Sequence, residues 1–173
     1  MQLTRRELLI AGSATAASAL LPRFARAEAG GLSAAARAAL GTSPLIYVTA
    51  LKRDATESRC HAEVWFVKDG DSALVVTGSD RWRAQAIQKG LTRARLWVGD
   101  HGVWDARGKD TAYQGAPSFL AAAGIEIAPA QHDHALSLFG SKYTKEWGSW
   151  GPRFKNGLAD GSRVLIRYSA AQA

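Results

Sequence analysis

The sequence predicts a small antiparallel β-barrel of the mainly β (α+β) class, on three observations. Short apolar runs, some alternating with period two, are separated by turn residues rather than by long helices. One helical segment interrupts them midway, which does not fit the strand–helix alternation of a parallel sheet. The 173 residues, 47% hydrophobic and 21% charged, suffice for one domain with a sizeable core and leave little room for a second.

Residues 28–43 are rich in Ala and Gly and read as a linker or N-terminal helix, with Ser33 placed to cap a helical stretch ending at Leu40. Leu45 to Leu51 is β-branched and aromatic enough for a first strand, and Lys52 to Thr56 is a polar connection. Ser58, Cys60, Ala62, Val64 and Phe66 then alternate with Arg59, His61, Glu63 and Trp65, giving a second strand whose first set forms the drier face. Asp69-Gly70-Asp71 supplies a hairpin turn into a third strand, Ala73 to Thr77.

Trp82, Ala86 and Ile87 recur at helical spacing before Gly90, so a short helix is expected over Asp80–Lys89. Strand patterns return at Ala94–Val98 and Gly102–Trp104, and a polar, glycine-rich loop covers Asp105–Pro117. A helix is expected over Ser118–Ala123, a short strand over Ile125–Ile127 and a long helix over His134–Trp147. Gly161 to Tyr168 alternates as the final strand.

Residues 1–27 have the pattern of an export signal of the twin-arginine type. Thr4-Arg5-Arg6-Glu7 opens it, an apolar and small-residue run follows from Leu8 to Leu21, and Ala25-Arg26-Ala27 offers a cleavage site. That run of 14 residues is shorter than the roughly 18–20 needed to span a bilayer, so cleavage is expected rather than a stable membrane anchor. The expected location is periplasmic or secreted, reached through the twin-arginine export machinery; an ordinary Sec signal with a basic start is the alternative.

Charge narrows the function classes. The chain carries 22 basic and 15 acidic residues, net +7, but without residues 1–27 the balance falls to 18 against 14, net +4. Such modest basicity, with no clustered Lys and Arg, does not indicate nucleic-acid binding. The single Cys60 excludes an internal disulfide framework and a zinc site built from paired cysteines.

The order of elements carries a resemblance. Strands ending in Glu63-Val64-Trp65-Phe66 and in Thr77, followed by Gly78-Ser79-Asp80-Arg81-Trp82-Arg83-Ala84, resemble the split-barrel flavin-binding superfamily of pyridoxamine phosphate oxidases and deazaflavin-dependent reductases. Val64 to Val67, Trp82-Arg83, Ser141-Lys142-Tyr143 and Val164 to Arg167 more narrowly resemble the bacterial family DUF2255. The likeness spans about residues 44–169, within a domain placed at 44–173. It implies a small split β-barrel of about six antiparallel strands with inserted and flanking helices, a homodimer, and FMN or a deazaflavin as cofactor.

A flavin presents a phosphate, a ribityl chain and a flat ring with polar edges. Its site needs cationic and hydroxyl donors at one end and backbone donors with an apolar wall at the other. Thr77, Gly78, Ser79, Arg81 and Arg83 supply the first set, and Arg83 matches the position where these oxidases carry a basic phosphate-binding residue. Asp80 places a negative charge among them; Ser79 or Asp80 capping the helix is the purely structural alternative. Arg59, His61 and Glu63 share one face of the strand that the resemblance lays along the cofactor. Glu63 stands where many relatives have proline, and its carboxylate beside a reduced ring calls for pairing with Arg59 or His61.

Of the six tryptophans, Trp65 and Trp97 are the first choices for stacking on a ring, the others being expected in the core or a dimer interface. His132 and His134, at i and i+2 with no third ligand near in sequence, do not indicate a metal. Cys60, on the drier face, reads as an inert apolar residue, and no catalytic acid, base or nucleophile elbow is identifiable. Two readings follow: an exported flavin- or deazaflavin-dependent oxidoreductase acting on a small molecule, or a cofactor-free, haem- or small-ligand-binding module on the same barrel.

Overall fold

The computed structural model describes residues 31–104 and 111–171. The expected export signal and part of the polar loop, residues 105–110, lie outside them. Helix α1 (Ala34–Thr42) is capped as the sequence predicts, the Ser33 hydroxyl accepting from the Ala36 amide at 3.1 Å. Strands β1 (Leu45–Leu51), β2 (Glu57–Trp65), β3 (Val67–Asp69) and β4 (Ser72–Gly78) precede helix α2 (Trp82–Gln88) and strand β5 (Arg93–Val98). After a 3-10 turn (Ala112–Gly115) come β6 (Ser118–Glu126), α3 (Pro129–Lys142), α4 (Trp147–Ala159) and β7 (Arg163–Ala170).

The seven strands form one antiparallel sheet in the order β2-β1-β5-β6-β7-β4-β3. β2 and β3 lie at opposite ends of that order, yet only Phe66 separates them in the chain. The sheet must therefore curl until its two ends meet at Phe66, which makes it a split barrel. Beyond the meeting point they part, β2 following β1 and β4 following β7.

Tyr143 and Lys142, at the end of α3, hold the bend. The Phe66 amide donates to the Tyr143 hydroxyl (3.0 Å), which donates in turn to the Pro44 carbonyl (2.7 Å), while Lys142 Nζ donates to the Phe66 carbonyl (2.9 Å). Lys142 Nζ also lies 3.5 Å from the centre of the fully buried Phe66 ring. Burial raises the Tyr143 pKa well above its ordinary value, so the hydroxyl keeps the proton it donates.

Two apolar layers result. Ile46, Val48, Val75, Leu96, Phe119 and Ile166 fill the barrel with Ala36 and Leu40 of α1 and Ala84 of α2. On the outside, Leu74, Val76 and Leu165 pack against Phe139 and Tyr143 of α3 and Phe154 and Leu158 of α4. β4 is buried on both faces, which is why its sequence is a continuous apolar run.

The structure departs from the sequence reading in four places. Ser118–Ala123, expected as a helix, belongs to β6, which also absorbs Ile125. Its alanines favour a helix locally, but Ala121 and Ala123 face the barrel where α2 crosses it, and only small side chains fit between sheet and helix. Gly102–Trp104, expected as a strand, is irregular. The late helix runs from Pro129 to Lys142 rather than from His134 to Trp147. The sequence reading placed no helix at α4, because Gly148, Gly151, Pro152 and Gly157 look like breakers. Two of these glycines are required: a side chain at Gly151 would meet the Trp147 ring, and one at Gly157 the stem of Arg163.

β3, β6, β7 and α3 are tied by one ionic cluster. Arg167 bonds Asp69 (2.8 Å), Glu126 (2.6 Å) and Gln131 (3.1 Å), and His134 reaches Asp69 at 3.2 Å. Hydrogen bonding from Arg167, then from His134, holds the Asp69 pKa below its ordinary 3.8. A depressed carboxylate stabilises the fold above its unfolded value and loses that contribution as pH falls through the folded one. The stability gap between the wild type and Asp69→Asn, followed by urea unfolding, should therefore narrow once pH drops below 3.8. Tyr143→Phe, which strands the buried Phe66 amide, should cost about 1–3 kcal/mol in the same assay; an unchanged midpoint would show that the hydroxyl does not hold the bend.

Candidate functional site

Where β2 and β4 part, the barrel wall opens into a groove of about 880 Å³. β2 residues 60–65 line one side; Val76, Thr77 and Gly78 of β4 and the turn into α2 line the other. Both strands present an edge there with no neighbouring strand, so alternate backbone N–H and C=O groups face the groove. The volume falls within the roughly 300–1,000 Å³ of small-molecule sites.

Arg83 dominates its electrostatics. Nε of Arg83 is buried without a hydrogen-bond partner, and the guanidinium makes no ion pair among the described residues. Burial lowers its pKa, but a guanidinium starts so far above neutrality that it remains a cation. Trp82 Nε1, also on the wall, is a second buried donor without a partner. Arg81 is exposed and lies 3.6 Å from Asp80, which takes up that local negative charge. Gly78 makes room for the arrangement, since a side chain there would collide with the Asp80 carboxylate.

Of the nine residues proposed from sequence, the groove gathers His61, Glu63, Trp65, Thr77, Gly78, Arg81 and Arg83. Arg59 and Ser79 are not on its wall. The Ser79 hydroxyl and amide both donate to the Ser162 carbonyl, so this side chain fixes the β4–α2 turn against the start of β7. Neither Ser79 nor Asp80 caps α2; Arg81 stands at the cap position, with no side-chain bond.

Glu63 pairs with neither Arg59 nor His61. Its carboxylate accepts the Trp104 amide at 2.9 Å and so pins the segment after β5 over the end of the groove. His61 lies between the rings of Trp97 and Trp104, with centroids at 5.8 and 6.2 Å. Its Nδ1 shares a 2.7 Å hydrogen bond with the Tyr113 hydroxyl, and Nε2 lies 3.8 Å from Glu57. Trp97 is 4% exposed within this cluster and is no part of the groove wall. Trp65 is on the wall, one face stacked on Tyr143 at 4.6 Å and its ring edge-on to Trp150 at 5.7 Å.

Sequence reasoning missed Cys60, Trp82, Trp104, Trp150, Phe154 and Arg163 as wall residues. The period-two pattern did put Cys60 on the inward face, but that face opens to the groove beyond the split, so the thiol is exposed rather than dry. Trp150, Phe154 and Arg163 reach the site only because α4 forms. His132 and His134 are spent on the Glu126 carbonyl and Asp69, and no metal-binding group of three is present among the described residues.

Solved structures of the same shape include HutZ, the haem storage protein from Vibrio cholerae (9% identity, 79% of this chain and 88% of that one, TM-score 0.53). A pyridoxamine 5′-phosphate oxidase-like protein from Listeria innocua (12%, 79% and 90%, 0.50) is another. The flavocytochrome Anf3 from Azotobacter vinelandii (14%, 79% and 62%, 0.50) is a third. At these identities the likeness shows the fold alone, an α+β split barrel. No protein-family model and no curated protein matches the chain, and these likenesses do not show the narrower resemblance to DUF2255.

Glu63→Ala removes a charge-assisted bond worth about 1.5–3 kcal/mol. Hydrogen exchange at the Trp104 amide should speed up by at least tenfold, with the barrel amides of β5 and β6 unchanged; equal exchange in wild type and variant would show that Glu63 does not pin this segment.

Proposed function

We propose that this chain is an exported split-barrel oxidoreductase, homodimeric like the superfamily it resembles, whose groove holds FMN or a deazaflavin and acts on a small molecule. The observation that carries the reading is Arg83, a half-buried cation without an ion pair among the described residues, on the wall of a groove lined by aromatic rings. An uncompensated guanidinium in such a place is costly without an anion to receive its donors. A planar ligand ending in a phosphate meets both features.

The donor set fits that group. Arg83, with Arg81 and the Thr77 hydroxyl, would hold the phosphate end. The open edge of β2 around residues 61–63 offers backbone groups to the ring's polar rim, and Trp65 supplies an apolar wall. A flavin bound there supplies the hydride or electron transfer; the protein's part is orientation and exclusion of water. The wall's two carboxylates, Glu63 and Asp80, are outnumbered by Arg81, Arg83 and Arg163, which leaves the groove a net positive charge for an anionic ligand. A twin-arginine signal supports the reading, since that route resembles one for proteins exported already folded.

HutZ, a haem storage protein on the same fold, keeps a second reading in view, in which the groove takes haem or another small ligand and catalyses nothing. His61 speaks against haem ligation, as its Nδ1 is bonded to Tyr113 and its Nε2 faces Glu57.

The test is a pair of titrations on the mature chain. FMN should bind more tightly than riboflavin, and Arg83→Ala should weaken FMN by about ten- to a hundredfold, roughly 1.5–3 kcal/mol, while leaving riboflavin unchanged. Equal binding of FMN and riboflavin, or indifference of FMN to Arg83→Ala, would remove the phosphate role.

A further inference from the structure

A second cation stands on the wall of the same groove, on the side built by α4 and β7. Arg163 opens β7 directly across from Gly78, and its guanidinium lies 5.4 Å from the centre of the Phe154 ring and 5.9 Å from that of Trp150. Arg153, one turn further along α4 than Trp150, brings another guanidinium to 5.1 Å from the same indole. Neither arginine has an ion pair or a hydrogen bond within the described residues. Two like charges thus converge on one ring with no carboxylate between them, in contrast to Arg37, Arg81, Arg95 and Arg167, each paired with an acid.

The placement of Arg163 is built into the fold. Gly157 of α4 has no side chain where the Cβ, Cγ and Cδ of Arg163 pass; an added Cβ would lie 2.7 Å from both Cγ and Cδ. The stem is thereby threaded against the helix, and the planar head is held on aromatic faces with its donors unused. A guanidinium oriented in this way offers two parallel N–H groups, the geometry that a carboxylate accepts bidentately. Trp150 and Trp65, set edge to face at 5.7 Å, continue the wall with an aromatic surface.

We propose that Arg163, its head set against the Phe154 and Trp150 rings, is the recognition site for the carboxylate of a flat, unsaturated or aromatic acid bound in this groove. That acid is the substrate if the cofactor reading holds; the anion site itself does not depend on that reading. Arg83 and Arg163 then divide the labour, the first receiving the cofactor's phosphate and the second the acid that reacts beside it.

Titration of the mature chain with sodium benzoate, followed by tryptophan fluorescence and by the arginine Nε–H signals in NMR, tests this with and without saturating FMN. Benzoate should shift the Arg163 signal, and Arg163→Gln, which keeps most of the stem against Gly157, should weaken binding by at least about tenfold. Without FMN, Arg83→Ala should weaken benzoate by far less than Arg163→Gln does, and Arg163→Lys, which keeps the charge but not the fork, should bind between wild type and Arg163→Gln. No benzoate binding, an unaltered affinity in a folded Arg163→Gln, or an equal loss in Arg83→Ala would overturn the proposal. Inorganic phosphate binding more tightly than benzoate at Arg163 would overturn the carboxylate assignment. Arg163-dependent benzoate binding by a protein that takes up no FMN would retire the cofactor reading and leave this site standing.

Discussion

Everything distinctive about this barrel depends on the bend at Phe66. A single residue carries the chain from one end of the sheet order to the other, and the Tyr143 hydroxyl and Lys142 ammonium take the backbone groups that the bend removes from strand pairing. Buried backbone groups left without partners are costly, so α3 is part of the barrel's closure rather than an ornament on its outside. The ring stacked beneath that hydroxyl is Trp65, which ties the bend to the groove wall one residue away.

The groove follows from the same bend. Strands that meet at one point and diverge leave two open edges, and an open edge is either covered or used. Here one end is covered by the segment after β5, fastened by Glu63 to the Trp104 amide, while the rest is walled by α4 and by the turn into α2. The groove wall carries three arginines, Arg81, Arg83 and Arg163, against two carboxylates, Glu63 and Asp80, and only Asp80 is paired with one of them. Its field is therefore positive although the whole chain is only moderately basic, which is the electrostatic character an anionic ligand requires.

Much of this was legible in the sequence, and the limits have physical causes. The alternation from Ser58 to Phe66 announced a strand, and the Gly70 hairpin and Ser33 cap appear as written, because turn and cap chemistry are local. The cluster Thr77, Gly78, Arg81 and Arg83 was findable because it sits where a strand pattern gives way to a helical one. Ser79 was proposed as a ligand from its hydroxyl alone, and only tertiary contact shows that hydroxyl donating to the Ser162 carbonyl. The half of the site on α4 was missed: glycines that look like breakers are there to admit Trp147 and Arg163, and an absent side chain's purpose is not written locally. A signal existed in Trp147, Trp150 and Phe154, which recur at helical spacing across those glycines.

On the proposed function, the split holds a flat, anionic cofactor. The most direct measurement is the absorption spectrum of the full chain, expressed in a bacterial host, from about 300 to 600 nm, with mass analysis of whatever heat releases, since bound cofactors carry their own chromophores. Bands near roughly 370 and 450 nm with released FMN, or a band near about 420 nm with a released deazaflavin, are the expected result. A colourless protein that also leaves added FMN unbound would contradict the claim.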